Sequence, residues 1–139
     1  DAIAGLISQF FKSRKKPMAI YLTACLVLPL WFLTSTGLTV TEMYLFYFIL
    51  GLAGGYWILM LTSATEQFGT NIRATVTVTI PNFIRASVVP MSATLLWLRE
   101  SHDLITSAMY VGVTTSVVAL LCLIPLKESF SSDLDFLER

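Results

Sequence analysis

Arg85 is the residue whose chemistry most needs explaining. It stands about ten residues into an apolar run, which at about 1.5 Å per helical residue puts it roughly 15 Å deep in a bilayer. An arginine at that depth costs about 3 kcal/mol on insertion scales, so it must face a wet cavity, a substrate or an acid. Helical spacing places Val78, Pro81, Asn82, Arg85, Val89 and Ser92 on one face. Asn82, Arg85 and Ser92 make that face polar, as a cavity wall needs to be. Three roles stay open: Arg85 contacts an anionic or hydroxylated solute, sets the pKa of a proton-carrying carboxylate, or forms a structural pair with an acid. Asp1, at similar depth, is one partner to consider.

A second group lies in a charged turn between two apolar runs, Glu66-Gln67-Phe68-Gly69-Thr70-Asn71-Ile72-Arg73. A third is the basic stretch Lys12, Arg14, Lys15 and Lys16, and a fourth begins at Lys127-Glu128. Tyr47 and Tyr56 lie deep enough in an apolar run to line a cavity, although aromatic rings in such runs are more often interface anchors. His102 with Glu100 and Asp103 is the nearest approach to an enzyme-like set. It reads better as a solvated loop, and no enzyme activity is expected.

Composition says what must position these residues. Of 139 residues 55% are hydrophobic and 13% charged, against about 25% charged in soluble domains. Mean hydropathy is +0.74. A soluble chain of this length could not cover so much apolar side chain, so the lipid bilayer is the expected solvent. Net charge is zero and no basic face is evident, which argues against nucleic acid. Cys25 and Cys122 sit within apolar runs and read as packing residues. No cofactor, metal set or nucleotide-binding loop is expected.

The expected fold is an all-α integral membrane helical bundle with one partial and four complete transmembrane helices. Residues 1–11 are too short to span; 18–37, 43–64, 75–98 and 104–126 are the complete spans, and 127–139 is a polar tail. Pro17 suits the first turn of its helix, and Glu42 the start of the next. Gly51 and Gly55 form a small-xxx-small pair for close helix packing. Pro81 and Pro90 within one span are tolerable in a membrane when neighbours re-satisfy the freed carbonyls. Ser132 and Asp135 could cap a short interfacial helix in the tail. Lys12, Arg14, Lys15, Lys16, Arg73, Lys127 and Arg139 fall on one side of the membrane and Arg99 on the other. The basic side and the tail are therefore expected to be cytoplasmic in a multi-pass protein of the cell membrane. The chain begins at Asp1 without a signal peptide and is expected to be a piece of something longer.

With turn, spans and polarity in place, the chain resembles the C-terminal half of a major facilitator superfamily transporter, from partway along helix eight through helix twelve. Gly5 followed by Lys12-Ser13-Arg14-Lys15-Lys16 fills the place of the family's glycine-then-basic loop, departing from its pattern at Gln9 and Lys12-Ser13. Glu66 and Arg73 match the Glu-x6-Arg spacing of sugar-porter-like members, with Phe68, Gly69 and Thr70 between them. Lys127-Glu128-Ser129, continuing to Asp133-Leu134-Asp135, looks like the stretch after helix twelve. The resemblance implies a secondary active transporter that moves a small polar solute by alternating access, with a coupling proton and the missing N-terminal half as partners. It implies that Lys12, Arg14, Glu66, Arg73 and Glu128 form a cytoplasmic charge network that latches helix ends in one state; the alternative is that these charges only set topology. A non-transporting scaffold or assembly subunit is the competing function. It could use the glycine pair but gives no reason to bury Arg85 beside Asn82.

Overall fold

The computed structural model describes residues 2–130, and all of their regular structure is helical. The helices are α1 (Ala2–Phe11), α2 (Lys15–Thr34), α3 (Val40–Ala53), α4 (Tyr56–Glu66), α5 (Thr70–Leu98) and α6 (Leu104–Leu123). The expectations at Asp1 and over 131–139, including the Ser132/Asp135 cap, lie outside the described residues.

Local chemistry sets the ends. Lys12, at φ 48°, turns the chain sharply after α1. Pro17 falls in the first turn of α2, where its missing N–H costs little. Thr39 and Glu42 form a capping box at α3: the Thr39 amide donates to Glu42 Oε2 at 2.7 Å and the Glu42 amide to Thr39 Oγ1 at 3.3 Å. Asp103 caps α6 by accepting from the amides of Ile105 and Thr106.

Three helical segments are long and apolar enough to cross a membrane: α2, the α3–α4 pair over 27 residues, and α6. They coincide with three of the four spans expected to be complete, 18–37, 43–64 and 104–126. The segment expected over 75–98 is the 29-residue α5, the longest helix here. Thr70, Asn71, Arg73, Thr75, Thr77, Thr79, Asn82 and Arg85 dilute its apolar character. The segment expected over 43–64 extends to both sides and is broken at Gly54–Gly55, where both residues have ψ near −11° and the Gly55 amide reaches back three residues to Leu52 O. The Cys25 thiol of α2 donates to Ala53 O at this break, at 3.6 Å.

Hydroxyls within the helices mostly bond their own backbone one turn back, as Thr23, Thr62, Thr94 and Thr115 do. That keeps them satisfied without water.

The bundle is organised around α2, which packs on α1, α3, α4 and α6; α5 packs on α4 and α6. The small core is Ala4, Met18, Leu59 and Leu123, flanked by Tyr21, Leu22, Ile58 and Met60. Beyond it the surface is strongly apolar, with Phe83 and Trp97 of α5 among many large side chains left exposed. In lipid such exposure carries no penalty.

Candidate functional site

Arg14, Glu66 and Glu128 converge with four serines at one end of the bundle. The α1–α2 turn brings Arg14 to the C-terminal end of α4, where its guanidinium meets Glu66 in a two-point contact. Nη2 donates to Oε1 at 2.6 Å and Nε to Oε2 at 3.1 Å. Both side chains are largely shielded, 17% and 13% exposed. The guanidinium is further fixed by Nη1 donating to Ser8 Oγ at 2.9 Å and by the Phe130 ring, 5.3 Å from the Arg14 carbon to the ring centroid.

The segment after α6 closes the cluster. The Ser129 hydroxyl donates to Glu66 Oε2 at 2.8 Å and lies 3.3 Å from Ser63 Oγ. Glu128 sits over the start of α2, accepting from the Arg14 amide at 2.7 Å, the Lys15 amide at 3.5 Å, and the Ser13 hydroxyl. A carboxylate there satisfies otherwise unpaired amides and the positive end of the helix dipole. Its partial burial would raise its pKa, but the Ser13 hydroxyl and the amides of Arg14, Phe130 and Lys15 outweigh this and hold the carboxyl below its ordinary value. Ser8, Ser13, Ser63 and Ser129 are all buried. The cluster therefore ties together the α1–α2 turn, the end of α4 and the segment after α6.

Arg73 holds a neighbouring position. Its guanidinium donates to Thr65 O at 3.0 Å and to Phe68 O at 3.1 Å, clasping the α4–α5 turn. Glu66 and Arg73 thus bracket that turn as their spacing suggests, with Arg73 directed to backbone carbonyls there. The Lys12 amide donates to Gln9 O in the tight turn. Lys15, unassigned in the expected network, donates from Nζ to Ile124 O at 2.9 Å and joins α2 to the end of α6. The serines were missed as site residues. Their signal was available: small polar side chains beside a charge, Ser13 next to Arg14 and Ser129 next to Glu128, in otherwise apolar surroundings.

The four residues expected to contact solute are not brought together among the described residues. Tyr56 lines a cavity of about 350 Å³ between α2, α4, α5 and α6, with Met18, Leu22, Met60, Ile84 and Cys122. Tyr47 is exposed on α3, beside Phe32 and Phe46. Asn82 and Arg85 stand on the exposed face of α5; the Asn82 side chain donates to Val78 O at 3.1 Å. Arg85 is fifteen residues after Thr70 and thirteen before Leu98, near the middle of α5. It makes no hydrogen bond or ion pair with the described residues.

No protein-family model, curated protein or solved structure matches this chain.

Proposed function

We propose that the chain is the C-terminal part of a major facilitator-type secondary transporter for a small polar solute. The observation that carries this reading is Arg85: a guanidinium at the middle of the longest helix, directed outward, beside Asn82 and without a partner among the described residues. A second helical half packed on that face of α5 would enclose Arg85 and Asn82 in a polar cavity at mid-membrane depth, where an anionic or hydroxylated solute could meet the charge. The Arg14–Glu66–Glu128 cluster supports a latch at the basic end, which we place on the cytoplasmic side. Tyr47, exposed on α3, is available to a partner on its own face of the bundle. Tyr56 faces into the bundle and is assigned to packing there. The reading includes proton coupling and no enzymatic step.

The test is solute uptake by a complete transporter that contains this chain, together with thiol labelling of Arg85→Cys in a cysteine-free background. Loss of uptake in Arg85→Ala with normal membrane insertion, and labelling slowed by a candidate solute, are the expected results. Normal uptake by Arg85→Ala would remove Arg85 from the pathway.

A further inference from the structure

A groove of about 280 Å³ runs between the first turn of α2 and the last turn of α6. Its floor is Ala19, Leu120, Leu123 and Ile124, and its rim carries Lys15 and Lys16. Lys15 is half-buried, and its Nζ is anchored on Ile124 O at 2.9 Å. One of the three ammonium donors is used there, leaving two to meet an anion. Lys16 is exposed. The backbone amides of this helix start are already taken: Arg14 and Lys15 donate to Glu128, and Lys16 donates to Ser13 Oγ at 3.2 Å. Any anion in the groove must therefore be held by the two side chains. Neither Glu66 nor Glu128 lines the groove. Among the described residues this end carries Lys12, Arg14, Lys15, Lys16, Arg73 and Lys127 against Glu66 and Glu128, a net positive balance.

We propose that this groove is a binding site for one anionic phospholipid, its phosphate between Lys15 and Lys16 and its acyl chain along Ala19, Leu120 and Leu123. The juxtaposition decides the ligand class. Two cations alone would suit any phosphate, but an apolar floor joined to a cationic rim matches a molecule with a charged head and a hydrocarbon tail. Basic pockets between membrane helices recognise anionic headgroups by this arrangement. The inference needs α2 and α6 to lie in a bilayer; it does not depend on transport.

The test is native mass spectrometry of the full chain in detergent, titrated with phosphatidylglycerol or phosphatidylcholine. The wild type should hold one phosphatidylglycerol more tightly than phosphatidylcholine. Lys16→Gln should weaken that adduct by about fivefold, the worth of one basic residue near an anionic lipid, with phosphatidylcholine unaffected. Lys16→Arg, which keeps the charge, should retain it. Leu120→Trp keeps both lysines and fills the floor, and should weaken binding of both lipids. Phosphatidylglycerol binding unchanged by Lys16→Gln would overturn the site. So would equal weakening by Arg99→Gln at the opposite end, which would mean unspecific charge attraction. Displacement of the lipid by inorganic phosphate, with no effect of Leu120→Trp, would mean a free-anion site and would also overturn the proposal.

Discussion

Glu66 and Glu128 do different work although they share one cluster. Glu66 is shielded and pairs with Arg14 at two points while accepting from Ser129. Replacing it with Gln keeps the shape but leaves the Arg14 charge poorly compensated. Losing a hydrogen-bonded partner of a charged group costs about 2 kcal/mol, so Glu66→Gln should lower the thermal midpoint in detergent clearly. An unchanged midpoint would mean that the pair is solvated and contributes little, as most surface pairs do. Glu128 is exposed, and its role is best read through pH. Its folded pKa lies below the ordinary 4.5. Its stabilisation is therefore present above that ordinary value and is lost as pH falls through the depressed folded value. Asp103, lowered by its bonds from Thr106 and Ile105, acts in the same direction at the other end. Midpoints measured from pH 6 down to pH 3 should fall for the wild type, and less steeply for Glu128→Gln. Parallel curves would show that the carboxylate over the start of α2 is not what titrates.

At the level of elements, the broken α3–α4 segment shows how far sequence could reach. Gly51 and Gly55 were equally good as a close-packing pair, because their spacing puts both on one face of a continuous helix. The helix is interrupted at Gly54–Gly55, and only Gly55 meets a neighbour. A Cβ there would stand 3.0 Å from Leu52 O and 3.3 Å from the Ala4 Cβ. At Gly51 nothing lies within 4 Å. Gly55→Ala should therefore destabilise by about 1–3 kcal/mol through overpacking against α1. Gly51→Ala should be neutral or stabilising by about 0.5–1 kcal/mol, from helix propensity. Comparing their thermal midpoints in the same detergent checks both; equal effects would mean that the break does not select between them. Helix existence and most ends were legible, because Pro17, the Thr39–Glu42 box and the apolar run lengths each act locally. The break was not. It depends on α1 and α2 packing against a glycine, and no local pattern carries that.

At the scale of the whole molecule, the basic end was partly legible and the middle was not. Arg14, Glu66 and Glu128 are grouped at the level of sequence only by what the family resemblance implies, together with Lys12 and Arg73. Their serine ligands, and the direction of Arg73 toward Thr65 and Phe68 carbonyls, follow from three-dimensional placement alone. Arg85 and Asn82 sharing an exposed face of α5 agrees with their helical spacing, whereas Tyr56 turning into the bundle does not follow from depth. What remains is why α5, weaker in apolar character than α2 or α6, should sit in a bilayer at all. Arg85 is the largest single opposing contribution. Replacing it with Leu should favour insertion by about 3 kcal/mol on translocon scales. Presented to microsomes as a test segment flanked by glycosylation acceptors, α5 should insert poorly as wild type and markedly better as Arg85→Leu. On the transporter reading proposed above, uptake should nonetheless be lost in that variant. Better insertion with lost transport would separate the cost of Arg85 from its use. Unchanged insertion would put residue 85 outside the hydrocarbon core, where an arginine needs no polar partner.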